Sequence, residues 1–247
     1  MHTPGPTHIV IHVAIRTAKR GYKLNNGAMT YSQLYLLHLS SPALPIGAYA
    51  YSQGLEYAIE AGWVEGEELN RWLHDGMMLG VAQLDLPVLL RALAALGGND
   101  TETLNHWNNQ LLASRETSEL LLEDQQIGTA LLRLLTGLET PDIPIFGQKP
   151  AYAIAFAVAC HRWGIQTDAA LQGYAYSWLE NQVTAATKLV PLGQTAAQRM
   201  LLKLLKQIPE ACTHAMTVDD CEIGLSLPGL AMASSRHERQ HTRLFRS

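Results

Sequence analysis

The sequence predicts an all-α protein on three observations. From Met29 onward apolar residues recur at helical spacing, and no alternating stretch of useful strand length appears. Prolines and glycines fall in groups that cut the chain into helix-length pieces. A chain of 247 residues is long enough for one sizeable core or at most two small domains. It has no internal repeat at a solenoid period and no low-complexity run. We expect one domain over 29–235, a bundle of about eight to ten helices. A flexible extension, 1–28, precedes it and a basic tail, 236–247, follows.

Residues 1–28 differ from the rest in charge and pattern, and the competing reading is a strand over 8–16. Leu34, Tyr35, Leu37 and Leu39 then make a short first helix that Pro42 stops. Residues 42–48, with two prolines and a glycine, form a loop. A second helix spans 51–61 and ends at Gly62. A third spans 66–84, with Pro87 kinking or breaking the chain before a helix at 88–96 that Gly97 and Gly98 close. Helices follow near 101–114 and 117–137, the latter rich in leucine (Leu120, Leu121, Leu131, Leu134, Leu135). The segment 140–150, TPDIPIFGQKP, is a loop by composition. Helices at 151–163 and 168–189 end at a break marked by Pro191 and Gly193. Thr195 and Gln198 fit a capping box for a helix at 196–207.

Composition narrows the function classes. Hydrophobic residues make up 47% and charged residues 16%, a low charge content that suits a surface covered by a partner. The net charge of −4 gives no electrostatic case for nucleic acid or a membrane surface. Four of the 18 basic residues and none of the 22 acidic ones lie in 1–28, so residues 29–247 carry 14 against 22. The tail reverses this: Arg236, Arg239, Arg243 and Arg246 face one acid, Glu238. A basic tail on an acidic body reads as a docking device for an acidic partner. Cys160, Cys212 and Cys221 are odd in number and form no C-x-x-C pair, which fits a reducing cytoplasm. Residues 24–55 lack charge, but Pro42, Pro45 and Gly47 interrupt them, so a membrane span is not expected.

No catalytic set emerges. His237-Glu238-Arg239-Gln240-His241 is literally H-E-x-x-H, which in zinc hydrolases sets two imidazoles on one helical face beside a glutamate. Only six residues follow it and its flanks are Arg and Ser, so a tail with arginines as charged docking groups is the better reading. Ten histidines are otherwise scattered without ligand spacing, and no metal or other cofactor is expected. No G-x-x-x-x-G-K-[ST] is present, so a nucleotide would have to be bound by another protein. Lys188 before LVPLGQ has a plain reading as compensation of a helix dipole. The stretch from Pro42 to Glu56 is a rigid Pro–Gly loop that either packs a helix start or is presented to a partner, with Tyr49, Ser52 and Glu56 at its end.

Three segments, SSPALPIGAYAYSQGLEYAIEAG (40–62), ENQVTAATKLVPLGQTAAQRML (180–201) and ASSRHERQHTRLFRS (233–247), are informative together. In this order and at this separation they resemble the UreF family of urease accessory proteins, over about Met29 to Ser247. One position departs from the family pattern, His241, where an aromatic residue is usual. The resemblance implies an all-α, non-enzymatic adaptor for nickel insertion into apo-urease. It implies work with a UreD-type (also called UreH-type) scaffold and the GTPase UreG, with a homodimer inside the larger complex. It makes Tyr49, Ser52, Glu56, Lys188, Gln194, Arg236, His237, Glu238, Arg243, Phe245 and Arg246 the candidate partner-binding residues. Two other classes compete: a zinc-dependent hydrolase using His237, Glu238 and His241, and a GTPase-activating regulator donating a tail arginine. The tail itself, with only Leu244 and Phe245 as apolar anchors, is expected to order on a partner.

Overall fold

Every regular element among the described residues is helical, as the apolar periodicity predicts. The computed structural model describes residues 29–224 and 227–247. The chain divides into two units, Met1–Tyr31 and Ser32–Ser247, and the expectations for 1–28 lie outside the described residues. In chain order the helices are α1 (Tyr31–Leu39), α2 (Leu55–Glu60), α3 (Glu67–Asp75), α4 (Asp85–Gly97), α5 (Thr101–Ala113) and α6 (Ser118–Gly137). They continue with α7 (Tyr152–Arg162), α8 (Thr167–Leu189), α9 (Gln194–Leu205), α10 (Ile208–Thr217) and α11 (Pro228–His237).

The core forms around α7. All eight residues from Ala153 to Cys160 have no exposed surface, so this helix is apolar on every side and buried on every side. It packs on α4 and α6, while α8 carries α9 and α10 along its length. Small side chains permit the close approach. A Cβ at Gly128 of α6 would come within 2.7 Å of the Ala151 carbonyl carbon, so only glycine lets these two elements touch. Where polar groups enter the interior they are matched. Arg115 donates to Asp85 (2.5 Å) and Asp124 (2.8 Å), and the Tyr174 hydroxyl donates to Asp85 (3.0 Å). Burial alone would lower the Arg115 guanidinium, but the two aspartates outweigh it and hold it well above its usual range. The cluster ties the start of α4 to α6 and α8.

Several boundaries differ from expectation for local reasons. The break after α3 is not made by Pro87. A π-helical segment, Gly76–Val81, is followed by a turn over 82–84, and Pro87 sits in the first turn of α4, where its missing N–H costs nothing. The Trp178 ring of α8 presses here, at 2.9 Å from where a Cβ on Gly76 would lie. The run Glu67–Gly97 is apolar enough to pass for a membrane span, yet two thirds of its apolar window is buried in the bundle. The capping box at Thr195 does not form, because α9 starts at Gln194 with Gly193 before it and no side-chain cap. Two helices, α10 and α11, follow where none is assigned from the sequence; α10 has Pro209 as its second residue and α11 opens on Pro228, and a proline is tolerated in a first turn.

Candidate docking site

The loop before α2 prepares the site. Residues 48–50 make one 3-10 turn, Tyr51 is extended, and Gln53 and Gly54 are left-handed (φ 54° and 79°), so α2 starts at Leu55 rather than at 51. A Cβ on Gly54 would lie 2.7 Å from the Ser234 backbone nitrogen, so α11 rests directly on this turn. Only glycine meets both demands. The turn leaves Glu56 in the first turn of α2 with its carboxylate aimed inward, 7% exposed.

That carboxylate holds the tail. The backbone N–H groups of Leu244 (2.7 Å) and Phe245 (2.9 Å) donate to its two oxygens, and His237 Nε2 lies 3.2 Å from Oε2. The other nitrogen of His237 is 2.7 Å from Glu119 Oε2, and Arg243 donates to Glu119 Oε1. Glu238 accepts from the Ser118 hydroxyl (2.6 Å) and the Glu119 backbone N–H (3.2 Å), so it caps the start of α6. The Ser118 bond in the first place, with the Glu119 amide, holds its carboxyl below the usual range. Beyond it the chain runs along the loop: the Arg246 N–H donates to Ala50 O (2.8 Å), and Ser52 donates to Ser247 O through both N–H (2.7 Å) and hydroxyl (2.5 Å). The Ser247 hydroxyl donates to Glu123 (2.6 Å), which also accepts from Gln53 (2.8 Å). Burial pushes the Glu123 carboxyl up to about 7, against those two hydrogen bonds. The Phe245 ring is buried, with Lys188 Nζ 5.4 Å from its centre.

The tail is therefore folded onto its own chain, and the expectation that it orders only on a partner is corrected. Counting apolar anchors missed what satisfies its polar groups: three carboxylates, Glu56, Glu119 and Glu123, on two helices. The structure brings together Ser52, Glu56, Lys188, His237, Glu238, Arg243, Phe245 and Arg246. Of these Ser52, Glu56, His237 and Phe245 are buried within the chain, where they position the tail, while Lys188, Arg243 and Arg246 are exposed. Arg236 is exposed on α11, Gln194 is exposed at the start of α9, and Tyr49 is half-buried beside a cleft that the Asp85–Arg115–Asp124 cluster also lines. Sequence reasoning missed Glu119, Glu123, Gln53 and Gly54. A signal was present: Glu119 and Glu123 stand four apart on one helix face, unmatched within that helix, in a chain with four tail arginines.

The zinc-hydrolase alternative loses its geometry. The helix ends at His237, so His241 lies past it and the two imidazoles share no helical face. Both His237 nitrogens already face carboxylates. Among the described residues no three His, Cys, Asp or Glu side chains group so as to hold a metal ion.

Fold and site together define an all-helical bundle whose charged side chains close the molecule's own C-terminal segment onto its body. Comparison with known proteins places that bundle. The UreF family model matches residues 64–205. The urease accessory protein UreF of Teredinibacter turnerae is 51% identical over 222 residues, covering 89% of this chain and all of that protein. Those of Chromohalobacter salexigens and Hahella chejuensis are 47% and 46% identical, covering 86% and 87% of this chain and 93% and 97% of theirs. The chain belongs to the UreF family of urease accessory proteins.

Proposed function

We propose that this protein is a cytoplasmic, non-catalytic adaptor in urease maturation. It joins a UreD/UreH-type scaffold and the GTPase UreG on apo-urease so that nickel can be inserted, and it acts as a homodimer in that assembly. Membership in a family named for urease accessory function supports the setting. The observation that carries the adaptor reading is the folded tail. It presents Arg236, Arg239 and Arg246 outward from a backbone pinned on both sides, with Arg243 paired to Glu119 between them, so little conformational entropy is lost when a partner docks. Lys188 extends that basic edge, and the half-buried Tyr49 and exposed Gln194 are proposed as further contacts. Ser52, Glu56, His237, Glu238 and Phe245 serve binding by holding the tail in shape.

Purified chain, mixed with the scaffold protein and the GTPase, tests the reading by co-elution and by activation of apo-urease with nickel. Charge reversal of Arg236 and Arg239, which make no ion pair among the described residues, is expected to abolish co-elution while the helical spectrum is unchanged. Full urease activation by that variant contradicts the adaptor reading.

A further inference from the structure

A second surface feature lies away from the latch that holds the tail. Between the 46–51 loop, one face of α6 and the side chain of Arg246 runs an open groove. Arg133, Lys149 and Arg246 line it, and among the described residues no Asp or Glu does. Residues 29–247 carry 14 basic against 22 acidic side chains, so a groove with three cations and no acid runs against the body's charge. All three cations are exposed, and none makes an ion pair among the described residues. Most other arginines of the body are matched: Arg71, Arg91, Arg115 and Arg162 each have a carboxylate within 4.0 Å.

Besides the cations, the polar side chains of the groove are neutral: Tyr51, Gln125, Gln126 and Thr129. Gln126 takes the Tyr51 hydroxyl on its oxygen (2.5 Å), which leaves its amide NH2 to donate. The Thr129 hydroxyl, out of contact with water, has no hydrogen-bond partner among the described residues. Gln126, Thr129 and Arg133 stand three and four apart, so they form one stripe along α6. The walls are anchored. Asn108 donates to the Lys149 carbonyl (3.3 Å), the Arg246 N–H donates to Ala50, and Phe245 and Ser247 on either side of Arg246 are buried. These cations therefore extend from a fixed backbone.

We infer that this groove binds an acidic segment of a protein partner, with the carboxylates of that segment running past Arg133, Lys149 and Arg246. A groove whose charged side chains are all cations repels basic chains and accepts oxyanions. Its cations come from three separate elements and stand open to water. That layout suits several carboxylates spaced along a chain better than one small enclosed anion. The inference goes beyond the adaptor reading, because two of the three walls, α6 and the loop, are not part of the tail.

The test titrates the full chain with a short labelled peptide of alternating Asp and Glu, and with tripolyphosphate as a chain-free anion. Arg133→Glu together with Lys149→Glu is expected to weaken peptide binding at least about tenfold, and added salt to weaken it further. Lys203→Glu, an exposed lysine of α9 outside the groove, is expected to change it by less than about twofold. Circular dichroism confirms that each variant is folded. Equal loss in Lys203→Glu, no peptide binding to the wild-type chain, or tripolyphosphate binding more tightly than the peptide would each overturn the inference. Because the probe is a synthetic peptide, failure here leaves co-elution with the scaffold and GTPase to be judged on its own.

Discussion

Replacing Glu56 with alanine strikes the group on which the tail is hung. Two donors point at that carboxylate, the N–H groups of Leu244 and Phe245, and His237 Nε2 lies 3.2 Å from it. Hydrogen bonds to a charged acceptor contribute about 1.5–3 kcal/mol each, and a buried donor left without a partner costs about 1–3 kcal/mol. Loss of the two backbone bonds alone therefore costs about 3–6 kcal/mol, enough to loosen residues 240–247 against what Phe245 burial and the Ser52–Ser247 bonds still hold. The core around α7 packs chiefly on α4 and α6 and should keep its helices. The assay is amide hydrogen exchange: in Glu56→Ala, Leu244, Phe245 and Arg246 should exchange at least a hundredfold faster, about 3 kcal/mol, with little change in α4, α6 and α7. Glu56→Gln, which keeps one acceptor oxygen, should fall between. Wild-type protection of the tail amides in Glu56→Ala would refute the assignment of Glu56 as the anchor.

Other outcomes follow from the same geometry. Gly54→Ala forces a side chain into a left-handed turn and onto α11; it should lower the melting temperature by several degrees, and by more than Gly47→Ala, whose φ is similar but whose surroundings are open. The Glu123 carboxyl is raised from 4.5 to about 7, so the folded state binds its proton more tightly than the unfolded one. Its contribution is complete below pH 4.5 and is lost as pH rises through 7, a difference of about 3 kcal/mol; Glu123→Gln should flatten that part of a melting-temperature profile, and an unaltered profile would count against it. Dialysed protein should retain far less than one equivalent of nickel or zinc per chain by elemental analysis, since both His237 nitrogens face carboxylates; a full equivalent lost in His237→Ala with His241→Ala would revive a metal site.

Much of the fold was legible: 117–137 was readable nearly to the residue as α6 from its amphipathic spacing, and 151–163 as α7 from an apolar run bounded by Pro150 and Gly164. The misread ends share a cause, tertiary contacts that override local signals. Residues 51–54 look helical in pattern, but Gln53 and Gly54 turn left-handed to admit α11. Pro87 looks like a breaker and instead starts a helix. At the site, the sequence showed one half of the interaction. The arginines and histidine of the tail stood out as a charged run and Glu56 as a candidate contact for a partner, while Glu119 and Glu123 read as ordinary helix surface, because nothing local says that these acids turn inward. A search for helix faces carrying unmatched acids, in a chain that ends in unmatched bases, would have paired them.

The account stands most directly on whether the tail-bearing face assembles the partners. The measurement is co-elution of the purified chain with the scaffold protein and the GTPase, comparing wild type, Glu56→Ala and a chain ending at residue 235, each shown by circular dichroism to keep its helices. The account predicts one complex for the wild type, none for the truncated chain, and affinity reduced by at least about tenfold for Glu56→Ala. Complex formation at wild-type affinity by the truncated chain would contradict it.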